Sequence, residues 1–239
     1  MSWKKSWFFF AWQSILHAKN LKEFQQIWRN KKSWSASFSE GRNSVSDELP
    51  WINFFARDFL KQNLRPDFKV FEFGGGGSTL YFCKNVADVV TVEDNPEWFK
   101  TLTETVHTKG YQNWQGFFVS SEPSNDPRPR SHVDPADFKS SVRSLENMSF
   151  EKYARTIDPF PTEYFDLILV DGRARPSCIQ QAIPSLKKGG LLVVDNTERP
   201  HYLAHFQDII ATQFLVEESR IGPIAYTPDF TGTTILRKK

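Results

Sequence analysis

Lys69-Val70-Phe71-Glu72-Phe73-Gly74-Gly75-Gly76-Gly77-Ser78-Thr79 is the stretch whose reading decides the fold. Lys69 to Phe73 reads as a short strand, the glycines follow at once, and Ser78 to Lys84 opens a helix. Glycines permit a tight turn and let the backbone approach a ligand closely. The helix start adds free N–H groups and a partial positive charge. In open α/β sheets, the crevice at such a strand end is where a cofactor sits. Four glycines alone would also suit a flexible loop; the strand-to-helix setting is what favours a cradle.

Outward from that stretch the pattern repeats. Val89 to Glu93 reads as a second strand, Pro96 to His107 as a helix and Trp114 to Val119 as a third strand. Phe165 to Val170 is a continuous apolar strand, as expected where both faces are covered. A helix at Ser177 to Leu186, a turn at Gly189-Gly190, a buried strand at Leu191 to Val194 and a helix at Tyr202 to Thr212 follow. Phe214 to Ile221 and Thr233 to Leu236 read as a closing pair of strands around Gly222-Pro223. Strands alternating with helices imply a doubly wound, mostly parallel sheet with helices on both faces. There are no internal repeats.

Upstream, Ile52, Phe55, Phe59 and Leu60 place a helix over Trp51 to Gln62. Residues 1–47 read as an N-terminal helical extension. It carries two short helices (Trp7, Phe8, Trp12, Ile15, Leu16; then Leu21, Phe24, Ile27, Trp28) and a polar linker from Ser33 to Asp47. Residues 48–239 form the main domain. Within it, residues 120–163 break the alternation. Pro123, Pro127, Pro129, Pro135, Pro159 and Pro161 punctuate a polar insertion with a helix expected near Phe138 to Tyr153. A connection this long suggests a lid.

Composition narrows the function. The 239 residues carry 30 Lys and Arg against 28 Asp and Glu, a net charge of +2. That balance provides no basic stripe, so nucleic acid is not an expected partner. The basic groups Lys4-Lys5, Arg29 to Lys32, Arg128/Arg130 and Arg237 to Lys239 read as solvated surface. No apolar run approaches the ~20 residues of a membrane span. Trp7-Phe8-Phe9-Phe10-Ala11-Trp12 is too short for a secretory signal and lacks a cleavage site after it. Its aromatics beside lysines would suit a membrane surface, although core packing explains most such stripes. Cys83 and Cys178 show no metal spacing, and a reduced, cytoplasmic setting is expected.

Three carboxylate positions stand at strand ends. Glu93 lies 19 residues after Gly74 and suits the ribose hydroxyls of a nucleoside, while Asp94 or Asn95 caps the next helix. Asp171-Gly172-Arg173-Ala174-Arg175 and Asp195-Asn196-Thr197-Glu198-Arg199 follow two buried strands on the same sheet edge. The aspartates either face a site there, or cap helices and pair with the nearby arginines.

Phe71 to Thr79, Val92-Glu93, Phe165 to Arg175 and Lys188 to Asn196 together resemble a class I S-adenosylmethionine-dependent methyltransferase over about residues 50–239. The resemblance implies seven strands in the order 3-2-1-4-5-7-6 with the last antiparallel. It implies cofactor contacts at Glu72, Gly74, Gly75, Gly76, Ser78, Thr79, Glu93, Asp94 and Asp171. It places Asp171 beside the methyl group, in a catalytic role. His201 is a candidate general base or, equally, a surface histidine. Arg173, Arg175, Tyr153 and Asn196 are substrate candidates, with Arg155 beside them. A narrower similarity, to catechol-type and caffeoyl-type O-methyltransferases, implies a magnesium ion on Asp171, Asp195 and Asn196, which would lower the pKa of an acceptor hydroxyl. Those families carry further acid and lysine after the first aspartate, where this chain has Arg173 and Arg175. No Asn/Asp-Pro-Pro-Tyr type signature is present, so the expected acceptor is a hydroxyl on a small molecule or glycan. Two rival readings stay open: a nicotinamide-dependent oxidoreductase, disfavoured by Thr79 in place of a third glycine and by the closing strand pair, and a non-catalytic nucleoside-binding scaffold.

Overall fold

The computed structural model describes residues 6–239; Lys4 and Lys5 lie outside them. Seven strands form one sheet: β1 (Lys69–Phe73), β2 (Asp88–Glu93), β3 (Trp114–Phe118), β4 (Phe165–Val170), β5 (Leu186–Asp195), β6 (Phe214–Gly222) and β7 (Thr231–Lys238). Their order is β3-β2-β1-β4-β5-β7-β6. β1 to β5 pair in parallel, and β7 runs antiparallel to both β5 and β6. This is the expected topology.

The continuous apolar strands serve two layers at once, because successive side chains point to opposite faces. Phe71, Phe73, Val90, Val92, Ile168, Val170, Leu192 and Val194 enter one core. Val70, Val89, Leu167, Leu169, Leu191 and Val193 enter the other. The second face is covered by α5 (Phe54–Asn63) and α6 (Gly77–Asn85). α7 (Pro96–Thr108), with Pro96 in its first turn and Asn95 as its cap, follows β2. α9 (Arg175–Ser185) packs on β4 and β5 from the first face.

Four expectations need correction. The Ser33 to Asp47 linker holds two helices. α1 (Trp7–His17) and α2 (Leu21–Arg29) are followed by α3 (Lys31–Ala36) and by α4 (Ser44–Asp47), which is capped by Asn43. The helix expected near Phe138 to Tyr153 shrinks to α8 (Glu151–Ala154), with 3-10 turns at Pro135–Asp137, Arg143–Leu145 and Arg155–Ile157. Phe138 has φ +48°, and the serines and asparagine after it favour turns over helix interior. Gly189-Gly190 is not a break: β5 runs through it, with a register shift against β4 between Phe165 and Leu167. The helix expected at Tyr202 to Thr212 becomes two 3-10 turns and then α10 (Gln207–Gln213).

The N-terminal extension belongs to the same packed body as the sheet. Phe10, Ile27 and Trp34 share a core with Phe54, Phe55, Ala225 and Phe230. Trp34 Nε1 donates to the Thr227 carbonyl at 3.1 Å. A Cβ on Gly77, at the start of α6, would overlap the carbonyls of Ser44 and Leu49. Core packing accounts for Phe9 and Phe10 but leaves Trp7, Phe8, Trp12, Ile15 and Leu16 exposed on α1. Among the described residues, no helix is long and apolar enough to cross a membrane.

Phe10 is fully buried and meets Trp28, Trp34 and Phe230 edge-on or tilted. Chemical denaturation of Phe10→Ala is expected to show a loss of about 3–5 kcal/mol, whereas Trp12→Ala stays within about 0.5 kcal/mol of the wild type. Equal, small losses would mean that the extension is not part of the core.

Candidate functional site

The loop after β1 and the loop after β4 cross in direct backbone contact. Gly74 has φ +91°, and a Cβ on it would lie 2.8 Å from the Gly172 Cα and 2.9 Å from the Gly172 nitrogen. No side chain fits between them. Gly74 N–H also donates to the Val92 carbonyl at 2.8 Å, and Asp171 N–H to the Phe73 carbonyl at 3.0 Å. The carboxyl ends of β1, β2 and β4 are therefore locked to one another.

Side chains order the rest of the glycine loop. Glu93, at the end of β2, accepts from the Gly75 N–H at 2.9 Å through Oε2, and from the N–H groups of Asp94 and Asn95 at 3.1 and 2.9 Å through Oε1. A carboxylate offers about four acceptor sites, so one is left on Oε2. Burial raises the Glu93 pKa against these donors. Gly76 N–H donates to Thr79 Oγ1 at 3.0 Å. Trp98 Nε1 donates to the Gly75 carbonyl at 2.7 Å and lays its indole beside Gly76.

Glu72 lies beneath this loop, fully buried. Its carboxylate accepts from Ser78 Oγ at 2.7 Å and from Thr91 Oγ1 at 2.9 Å. Burial outweighs those hydroxyls and pushes its pKa up to about 7.

Arg175 is the hub of the loops after β4 and β5. Its Nη2 donates to Asp171 Oδ1 at 2.8 Å and to the Asp171 carbonyl at 2.9 Å, its Nε to the Gly172 carbonyl at 3.1 Å, and its Nη1 to the Asp195 carbonyl. The guanidinium stacks over Tyr202, 5.2 Å from the ring centre. Four of its five N–H donors are engaged, so Arg175 orients Asp171. Burial raises the Asp171 carboxyl pKa, with Arg175 opposing. Asp195, almost fully buried, accepts from Thr233 Oγ1 at 2.6 Å, and burial plus the Asp171 charge raises its pKa.

The magnesium expectation finds no support in this chemistry. Of the three expected ligands, Asp171 is already paired with a cation, and Asp195, almost fully buried, already accepts from Thr233. Asn196, with φ +57°, is the one neutral residue of the set. Among the described residues no group of three His, Cys, Asp or Glu could hold a metal. The cation between the two loops is the guanidinium of Arg175.

A cavity of about 630 Å³ opens over these groups. It brings together the expected Gly74, Gly75, Gly76, Ser78, Glu93, Asp94, Asp171, Arg173, Asp195 and Asn196. Arg173 spans its mouth, 3.4 Å from the Asp94 carboxylate. Other expected residues stand elsewhere. Glu72 and Thr79 lie under the loop. Tyr153 is a core residue wedged beneath Gly172, and Arg155 is an exposed partner of Glu151 and Asp158. His201 lies outside the cavity wall, edge-on to His132 at 4.8 Å, and its buried Nε2 has no hydrogen-bond partner among the described residues. The 120–163 insertion supplies no wall of this cavity. Ser44, Trp51, Trp98, Ile224 and Thr227 do, and sequence reading missed all five. Trp98 alone left a signal, an aromatic in the first turn of the helix that follows Glu93.

No protein-family model and no curated protein matches the chain. Solved structures do. An O-methyltransferase from Bacillus cereus, in complex with S-adenosylhomocysteine, superposes with TM-score 0.53 at 13% identity, covering 95% of this chain and 96% of that one. A Streptococcus mutans protein assigned as a methyltransferase, also with S-adenosylhomocysteine, gives 0.51 at 16% identity over 77% of this chain and 96% of that one. TrmN from Thermus thermophilus gives 0.51 at 12% identity over 77% of this chain and 48% of that one. At such identities what is shared is the fold.

Glu72 makes that fold sensitive to pH. Its carboxyl, near 4.5 when unfolded, is held at about 7 in the folded chain. Folding therefore takes up a proton between these values. The stability associated with the protonated form is complete at acid pH and is lost as pH rises through about 7. Between about pH 5 and pH 8 the Tm of the wild type is expected to fall further than that of Glu72→Gln. Parallel curves would show that Glu72 is ionised throughout.

Proposed function

We propose that this chain, which has the fold of the class I S-adenosylmethionine-dependent methyltransferases, transfers a methyl group from that cofactor to a hydroxyl of a small molecule or sugar. The observation that carries the reading is the convergence, on one cavity, of the glycine loop, the Glu93 carboxylate with an acceptor site to spare, and the Asp171 carboxylate. The antiparallel β7 between β5 and β6 supports a methyltransferase over a nicotinamide enzyme.

The residues present fit the cofactor. The open backbone of Gly74 to Gly76 and the start of α6 would hold its methionine part. Glu93 would take a ribose hydroxyl, with Asp94 and Trp98 beside it. When bound, the cofactor supplies an electrophilic methyl on a sulfonium. The protein then has mainly to align donor and acceptor, which can contribute ~7–11 kcal/mol. Asp171 is the base of the reading. One oxygen is fixed by Arg175, and the other meets no protein donor among the described residues. Its raised pKa makes it a stronger acceptor for a hydroxyl proton than a solvated aspartate. Arg175 acts through Asp171 as a positioning residue.

Two features support a small acceptor. The cavity is of the size of small-ligand sites and is walled by Trp51, Ile224 and Thr227. Its charged lining, Glu93, Asp94, Glu97 and Asp171 against Arg173 and the committed Arg175, disfavours a polyphosphate chain.

The test is transfer of label from methyl-labelled S-adenosylmethionine to separated pools of sugars and small hydroxyl compounds, and to total RNA. Label is expected in the first pool; label in RNA overturns the acceptor reading. Asp171→Asn is expected to lower kcat by about 10²–10⁴ with little change in the KM for the cofactor. The wild-type rate should rise with pH as Asp171 loses its proton, and that limb should vanish in the variant.

A further inference from the structure

A second cavity, also of about 630 Å³, lies behind the wall of the first. Leu49 and Pro50 line it, while the next residue, Trp51, lines the first; Ala225 and Tyr226 line it, while Ile224 and Thr227 line the first. Trp51 Nε1 donates to the Ala225 carbonyl at 2.8 Å and ties the two wall segments together. One side of the cavity is a single face of α5. Phe54, Arg57, Asp58 and Lys61 are spaced i, i+3, i+4, i+7 and point into it. Lys32 on α3 and Tyr81 on α6 complete the opposite walls.

The charges in this cavity do not cancel in the ordinary way. Arg42 is paired with Asp47 at 2.6 Å, and Asp47 also accepts from the Tyr226 hydroxyl at 2.7 Å. That carboxylate is spent. Arg57 is different. Its guanidinium lies 5.1 Å from the Phe54 ring centre and makes no hydrogen bond or ion pair with any described residue. Asp58 and Asp47 act on it only at a distance, and burial draws its pKa down. A guanidinium stays charged at any working pH. Holding one half out of water without a paired carboxylate costs free energy, and an anion that meets it offsets that cost. The planar fork suits two oxygens of one phosphate or carboxylate group. Lys61 and Lys32, both exposed at the rim, add to the attraction.

We propose that this second cavity is a binding site for a small molecule bearing an oxyanion, phosphate or carboxylate, seated on Arg57 with Lys61 and Lys32 at the entrance. The site is independent of the methyl-transfer reading. It is placed to influence it, because an occupant would press on the segments 49–51 and 224–227 that wall the first cavity. Tyr226, held at φ +68° in the second of these, is a non-glycine residue in a strained region that surrounding contacts must maintain.

The test is calorimetric titration of inorganic phosphate and, separately, malonate into the full chain, with ionic strength held constant by sodium chloride. Saturable binding of at least one is expected, and which one binds names the oxyanion. Arg57→Met should weaken it tenfold or more and Lys61→Met several-fold. Arg173→Met, at the mouth of the first cavity, should leave it unchanged. If Arg57→Met does not fold, Arg57→Lys, which keeps the charge and loses the fork, should still weaken binding severalfold. Binding of neither probe, undiminished binding in both Arg57 variants, or loss in Arg173→Met would overturn the proposal. None of these readouts needs the nucleoside cofactor, so failure here is separable from failure of the methyl-transfer reading.

Discussion

The contact between Gly74 and Gly172 is the constraint on which the site depends. Two loops from adjacent parallel strands meet backbone to backbone; a methyl group on Gly74 would part them, and one on Gly172 would collide with the Tyr153 hydroxyl beneath it. That closeness brings Glu93, Asp171 and the glycine loop to one cavity. Arg175 then fixes the outer geometry by spending its donors on the carbonyls of Asp171, Gly172 and Asp195 and on the Asp171 carboxylate. A buried guanidinium thus lies between the two loops. It makes Asp171 a directed, partly desolvated carboxylate instead of a ligand.

The extension before the sheet is the second structural theme. Its aromatic residues divide into two sets. Phe10, Trp28 and Trp34 build a core with α5 and the β6–β7 connection. Trp7, Phe8, Trp12, Ile15 and Leu16 stay on the surface. The extension also reaches the cavity, because Ser44 walls it and Trp34 holds the wall residue Thr227 in place. That part of the cavity wall comes from segments far apart in sequence, and the proline-rich insertion packs Phe150, Tyr153 and Ile157 into the sheet core instead.

How legible this was depended on whether a feature is local. The strands β1 to β4 and the glycine turn were readable because each is a continuous run with a clear boundary. Glu93 was readable because its distance from Gly74 is set by one strand–helix–strand unit. Pairing of Asp171 with a nearby arginine was one of two sequence readings, but the hub role of Arg175 was not legible, because three of its four bonds go to backbone carbonyls, which leave no trace in side-chain identity. Trp51 as a wall residue and Trp34 as the support of Thr227 were invisible, since their partners Ala225 and Thr227 lie 174 and 193 residues away. Tyr153 was a candidate because it lies in the insertion, and His201, equally read as a surface histidine, because it closely follows Asp195-Asn196; neither lines the cavity.

The most direct test of the account is calorimetric titration of the chain with S-adenosylhomocysteine and with NAD. The account predicts binding of the first and not the second, and a loss of tenfold or more, about 1.4 kcal/mol, in Glu93→Ala. Binding of NAD, or binding of S-adenosylhomocysteine that ignores the loss of Glu93, would contradict the assignment of this cavity.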